Sequence, residues 1–321
     1  MIAVVGASGY IGRHLVTELA QKNDCRVKVL SRTQTGKTIG TAWPTGVEVI
    51  QGDLHNPESL QEFLEAGCVV INLAYHWGAG EVTNLALTRN LLNACKLIRV
   101  RRLIHCSTAA VTGRATHDRV TEKTECRPIT EYGITKLKLE QVIVSTAKGC
   151  FDTAILRPTS VFGPGGEPLK KLANDLVGGN HFLNYLKSCL FGFRRMNLVH
   201  IANVVAAILF LTRRKESIDG EIFIVSDDDA TANNYLEVER TLMSALNCRG
   251  YAFPRIPLPL YLLGLLLRLL GRNNINPKCN YSQTKLESLG FKSPVVFEDG
   301  LKEYADWYRS KYLVGHGSEA G

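Results

Sequence analysis

The run Ile2-Ala3-Val4-Val5 passes directly into Gly6-Ala7-Ser8-Gly9-Tyr10-Ile11-Gly12, and an amphipathic stretch over 11–21 follows without a break. A buried strand that enters a glycine-rich turn and emerges as a helix brings the helix N-terminus, with its unbonded N–H groups and positive dipole end, to the strand's carboxyl end. That unit belongs in a parallel sheet with helices packed on it. Apolar, β-branched runs at 27–30, 47–50, 69–72, 103–106 and 153–156 then alternate with helical patterns over 57–65, 83–96 and 132–147, the rhythm of repeated βαβ units. The expected fold class is α/β, a Rossmann-type doubly wound parallel sheet followed by a smaller, mainly helical C-terminal substrate lobe. The expected boundaries are 1–162 for the dinucleotide-binding domain, completed by 198–225, and 163–197 with 226–321 for the lobe.

The glycines follow G-x-x-G-x-x-G rather than the dinucleotide fingerprint G-x-G-x-x-G. Their place between strand and helix makes Gly6, Ser8, Gly9, Tyr10, Ile11 and Gly12 the candidate pyrophosphate cradle; the alternative is a turn that needs glycine for structure only. About 20 residues on, where an acid would bind the adenosine ribose of NAD, stand Ser31 and Arg32. No carboxylate repels a 2′-phosphate there and a guanidinium is at hand, so NADP(H) is favoured over NAD(H). A solvated Arg32 at a strand end is the alternative.

The formal charge of +8 is scattered, with no basic stripe interleaved with aromatics, which points to an anionic small molecule and away from nucleic acid. Nine cysteines lack any C-x-x-C pair, and the eight histidines lack zinc-type spacing; reduced thiols, a cytoplasmic location and no metal are expected. The opening residues read as a strand rather than a signal peptide. The Leu-rich segment 256–271 falls short of a bilayer span and is interrupted by Arg268. Its preferred reading is a helix packed in the lobe or a subunit contact, with peripheral membrane attachment as the alternative.

Tyr and Lys four apart on a helix share one face, and the ammonium can draw the phenol's pKa toward neutrality. The pattern occurs at Tyr132/Lys136 and again at Tyr281/Lys285. The first follows a strand ending in Ser107-Thr108, which places hydroxyls at the ligand-binding edge of the sheet. Tyr281 has no such strand before it.

With these residues and with Gly52-Asp53-Leu54, Asn72-Leu73-Ala74, Leu156-Arg157-Pro158, 161–165, 199–201 and Leu289-Gly290-Phe291 in the same order, the chain resembles extended short-chain dehydrogenases/reductases of the NAD-dependent epimerase/dehydratase family from residue 1 to about 309. The resemblance implies Thr108, Tyr132 and Lys136 as the catalytic set, Thr108 holding the substrate oxygen and Lys136 also the nicotinamide ribose. It further implies Asp53 and Leu54 at the adenine, Leu73 and Ala74 along the cofactor groove, and Arg157-Pro158 beside the nicotinamide. Ser107, Arg194 and Arg195 are candidate substrate contacts. The expected reaction is hydride transfer at a secondary alcohol or ketone carbon, most of all of a nucleotide sugar, by a homodimeric ketoreductase or epimerase. Dehydration is not expected, because Ala109 and Ala110 stand where the family's dehydratases carry Asp-Glu. A steroid- or flavonoid-type alcohol dehydrogenase, and a dinucleotide-sensing regulatory protein without turnover, are the alternatives.

Overall fold

The computed structural model describes residues 1–33, 43–115, 117–271 and 276–313. The strands in chain order are β1 (Ile2–Val5), β2 (Val27–Ser31), β3 (Val47–Gln51), β4 (Val69–Asn72), β5 (Arg102–Cys106), β6 (Arg119–Val120), β7 (Asp152–Pro158), β8 (Ser160–Phe162), β9 (Leu198–His200), β10 (Glu221–Val225) and β11 (Asn280–Tyr281). The helices are α1 (Tyr10–Lys22), α2 (Pro57–Phe63), α3 (Gly80–Ile98), α4 (Glu131–Ala147), α5 (Lys170–Gly178), α6 (His181–Phe191), α7 (Ile201–Arg213), α8 (Tyr235–Ala245), α9 (Leu260–Leu269), α10 (Thr284–Ser288) and α11 (Phe297–Tyr312). The chain divides into two compact units, one of 1–112, 128–158 and 205–223, the other of 113–127, 159–204 and 224–321.

The first unit carries a seven-stranded sheet in the order β10-β7-β5-β4-β1-β2-β3. Its registered pairs β1–β2, β1–β4, β2–β3, β4–β5 and β5–β7 are all parallel, so the Rossmann-type sheet is as expected. The order reverses between β1 and β4, which is where a doubly wound sheet opens a ligand crevice at its carboxyl edge. Strands β1, β4 and β5 are buried on both faces, which is why they read as continuous apolar runs rather than alternating ones. One cluster packed with the sheet includes Val5, Val70, Leu91, Leu103 and Ile155.

The second unit is built on α5, α8, α11 and neighbouring segments around Phe162, Leu198, Leu242, Leu301 and Tyr304. Two small parallel ladders, β8–β9 and β6–β11, belong to it. The residues 198–200, expected to help complete the large sheet, instead pair with β8. That short strand follows the Gly163–Gly166 turn region and the helices α5 and α6, and its partner is the nearest preceding strand. All nine cysteines are free, and no described helix is long and apolar enough to cross a membrane.

Candidate active site

Three glycines shape the first loop for different reasons. Gly6 adopts φ +78°, and a Cβ there would lie 2.7 Å from the backbone of Leu73 and Ala74; at Gly12 a Cβ would meet the Gly6 carbonyl oxygen at 2.4 Å. Gly9 is exposed and its added Cβ would meet only the Gly6 oxygen, at 3.3 Å. Gly6 and Gly12 therefore close the β1–α1 corner, and Gly9 keeps its outer side clear. The α1 N-terminus has no side-chain cap and no acid in its first turn, so its N–H groups and dipole face a clear anion position. Those features fit a pyrophosphate.

At the end of β2, Ser31 is half-buried and its hydroxyl donates to the Thr33 carbonyl at 2.8 Å, whereas Arg32 is exposed. Asp53 accepts from the His55 backbone N–H at 2.9 Å and sits 2.8 Å from His55 Nδ1. Burial works to raise its pKa, but the His55 contacts and the Arg32 charge outweigh it and hold the carboxyl below its ordinary value. Arg32 and Asp53 thus share one electrostatic neighbourhood. Leu54 is fixed by Asn90 on α3, which donates to its carbonyl at 2.9 Å. After β4, Asn72 accepts from the Ala74 N–H at 3.1 Å and shapes the Leu73-Ala74 turn.

Thr108 follows β5 at the mouth of a single 3-10 turn over Ala109–Thr112, where its hydroxyl accepts from the Ala110 N–H at 3.2 Å. Helix α4 is capped by Thr130, whose hydroxyl accepts from the Gly133 N–H. A Cβ at Gly133 would stand 2.9 Å from the Ala110 carbonyl oxygen, so glycine lets α4 approach that turn. The approach brings Tyr132 to Thr108, whose side chain interacts with the phenol. Lys136, one turn on, is 3% exposed and donates to the Cys106 carbonyl at 2.9 Å. The three expected catalytic side chains meet within one unit.

One expectation of their chemistry is corrected. Burial pushes the Tyr132 phenol above its ordinary value, and this outweighs the Thr108 contact. The Lys136 ammonium, bonded to the Cys106 carbonyl and 6.0 Å from the Tyr132 ring center, does not offset that burial. Burial lowers the Lys136 pKa in turn. His105, inside the strand, is fully buried and held neutral by burial and by the nearby Lys136 charge.

Several residues here escaped the sequence reading. Trp77 stacks on Tyr132 with ring centers 4.8 Å apart and planes 19° off parallel, and Tyr75 meets both rings edge-on. Trp77 is nonetheless 70% exposed. Asn84 on α3 holds this loop by accepting from the His76 N–H at 2.9 Å and donating to the His76 carbonyl at 3.0 Å. Glu140, one turn beyond Lys136, accepts from Ser107 Oγ and from Arg157 Nε at 3.0 Å. The signal for Glu140 was its i+4 spacing from Lys136, and for the aromatics their place after a sheet-edge motif.

Glu140 also holds the side chains of two expected ligand contacts. Ser107 is buried and bonded to it, and the Arg157 guanidinium is paired with it; both side chains brace α4 against β5 and β7. In the second unit, Arg195 donates to the Ala230 carbonyl at 2.9 Å and Arg194 lies over the Phe191 ring at 5.7 Å. The Tyr281/Lys285 repeat is not one helical face, since Tyr281 is in β11 and Lys285 in α10. Among the described residues, no cluster of His, Cys, Asp and Glu could hold a metal ion.

The family model described as NAD dependent epimerase/dehydratase family matches residues 2–226. UDP-glucose 4-epimerase of Vibrio cholerae is 27% identical over 95% of this chain and 94% of its own length. A ketoreductase of Stigmatella aurantiaca, named for 4-hydroxy-2-methyl-3-oxo-4-farnesyl-3,4-dihydroquinoline-1-oxide, is 25% identical over 70% of this chain and 67% of its own. Among solved structures, a mutant of UDP-glucuronic acid 4-epimerase from Bacillus cereus, in complex with UDP-4-deoxy-4-fluoro-glucuronic acid and NAD, superposes with a TM-score of 0.73. It is 22% identical, covering 97% of this chain and 99% of the other.

Proposed function

The chain belongs to the NAD dependent epimerase/dehydratase family of extended short-chain dehydrogenases/reductases and is an enzyme, and from that premise we propose that it reduces or epimerises a nucleotide sugar at a secondary alcohol or ketone carbon. The observation that carries this reading is the meeting of Thr108, Tyr132 and Lys136 beside β5. A bound nicotinamide dinucleotide supplies the hydride donor or acceptor. The clear position at Gly9 and the uncapped α1 N-terminus would hold its pyrophosphate, Asp53 and Leu54 its adenine end, Leu73 and Ala74 its groove, and Lys136 its nicotinamide ribose.

In this mechanism Thr108 holds the substrate oxygen and Tyr132 exchanges the proton with it. A phenol is protonated at neutral pH, the state needed to donate to a ketone as that oxygen gains charge. Arg32, exposed beside Ser31, supports NADP(H) as the reductant. Ala109 and Ala110 bring no carboxyl to the turn after Thr108, which supports reduction or epimerisation over dehydration. The second unit, around α5 to α11, would select the substrate, with a homodimer as the working assembly. A second reading, an apolar alcohol or ketone as substrate, draws support from the farnesyl-bearing substrate in the ketoreductase relative's name.

The test is turnover of a nucleotide-sugar panel with NADPH or NADH, read by mass and stereochemistry of product. Tyr132→Phe should reduce the rate by about 10²–10⁴ with dinucleotide affinity kept, whereas Tyr281→Phe should remain near wild type. Arg32→Ala should weaken NADPH binding about tenfold, or about 1.4 kcal/mol, and leave NADH unchanged. Activity surviving Tyr132→Phe, or turnover of sterols alone, would sink the reading.

A further inference from the structure

We propose that the second unit docks on an anionic membrane surface through the exposed apolar side chains of α6, the segment 249–258 and α9. The first two are joined, and α9 follows them directly in the chain: the Leu258 N–H donates to the Cys189 carbonyl at 2.7 Å, Tyr185 Oη donates to the Pro254 carbonyl at 3.1 Å, and the His181 and Tyr251 rings meet at 4.9 Å. Helix α9 buries Leu263, Gly264 and Leu267, yet its other side is also apolar, with Tyr261, Leu265 and Leu269 at 72%, 55% and 77% exposure. Phe182 and Leu186 on α6 and Ile256 between the helices extend that surface. Among the described residues, eleven of the seventeen exposed large apolar side chains fall between 182 and 270, a concentration that marks an interaction surface.

Charge decides what covers it. The acid-free segments 176–197 and 246–278 contain eight of the chain's 38 Lys and Arg and none of its 30 Asp and Glu, so the whole formal excess of +8 lies within them. Lys187 and Arg255 turn inward to Asp175 and Glu239, at 2.8 and 3.2 Å. Arg249 and Arg268 are exposed and have no acidic partner among the described residues. A two-fold contact between copies would set such arginines against a surface as basic as their own, whereas anionic headgroups attract each of them. At ten residues α9 is about 15 Å long, half a bilayer core, so it would lie in the interface plane with its leucines inserted and Arg268 at headgroup level.

The experiment is co-sedimentation of the full chain with vesicles of phosphatidylcholine alone or mixed with phosphatidylglycerol. Wild type should pellet with the mixed vesicles, bind the neutral ones several-fold less, and lose part of its binding as salt rises. The double variant Leu265→Glu/Leu269→Glu, at exposed positions, should keep the wild-type melting temperature and bind at least about tenfold more weakly. Arg268→Glu should lose most of the preference for anionic vesicles, and Val82→Glu/Leu97→Glu, on the first unit, should change nothing. No pelleting of wild type, or equal pelleting of the double variant, would overturn the proposal. So would a wild-type dimer that fails to bind vesicles and that Leu265→Glu/Leu269→Glu turns into a monomer, which would assign the face to a second copy.

Discussion

Strand β5 holds a buried cation at each end, and the two are compensated very differently. At its amino end Arg102, 2% exposed, donates to Asp152 Oδ2 at 2.6 Å and to the carbonyls of Leu211, Arg214 and Glu216 at 2.7–2.8 Å. One guanidinium thereby ties β5 to β7 and to the end of α7. At its carboxyl end Lys136 has one carbonyl acceptor, that of Cys106, and the Tyr75 ring 5.1 Å away. Arg102 is satisfied in every direction that its planar fork can reach, whereas Lys136 carries a charge that burial disfavours. The contrast separates an end of the sheet built to hold together from an end that, in the proposed function, gives up stability to place a reactive group.

The largest expected effect in this comparison is at the amino end. Arg102→Met leaves the buried Leu211 carbonyl and the partly buried Asp152 carboxylate and two further carbonyls each short of a partner, and should cost about 3–5 kcal/mol, read by denaturant unfolding, with activity per folded molecule unchanged. A loss below about 1 kcal/mol would erase the contrast. Glu140→Gln should fall between the two ends, because it removes the charge paired with Arg157 while keeping the carbonyl that Ser107 can reach. About 1–3 kcal/mol and a lower kcat with unchanged KM are expected; an unchanged kcat would make the Glu140 brace purely structural.

The smallest effect on stability, and the most diagnostic, belongs to Lys136→Met, which should abolish turnover while leaving stability at pH 7 within about 1 kcal/mol of wild type, or above it. The pH dependence follows from the same cause. Burial lowers the Lys136 pKa, so the unfolded chain binds that proton more tightly than the folded one. The cost is full below the folded pKa and vanishes as pH rises through that value toward the unfolded one. Wild type should therefore gain stability relative to Lys136→Met as pH is raised above neutrality. A gap that stays constant, or widens the other way, would show the ammonium to be as well compensated as Arg102.

Much of the candidate site was legible because its signals are local. The glycine loop, the hydroxyls of Ser107-Thr108 and the Tyr132/Lys136 spacing lie within a few residues of strand or helix ends, and strand hydropathy places those ends at one edge of a parallel sheet. The braces were not legible. Arg102 reads as part of a basic cluster at 99–102 and Arg157 as part of a cofactor-side motif, yet their carboxylate partners stand 50 and 17 residues away. No local pattern encodes a pair that forms only when two strands, or a strand and a helix, are packed.

The amino-acid sequence by itself determined the parallel sheet, the close β1–α1 corner and the helix that carries Tyr132 and Lys136, because periodicity, glycine sterics and helical spacing act over short stretches of chain. Tertiary structure alone decided three other matters. It put Tyr281 in β11 and Lys285 in α10, breaking a spacing that local reading leaves ambiguous. It buried the Tyr132 phenol and so reversed the expected shift of its pKa. Finally, it turned Leu263 and Leu267 inward while leaving Leu265 and Leu269 in water. Solvation, charge compensation and exposure are set by what surrounds a side chain, and most of those neighbours are distant in sequence.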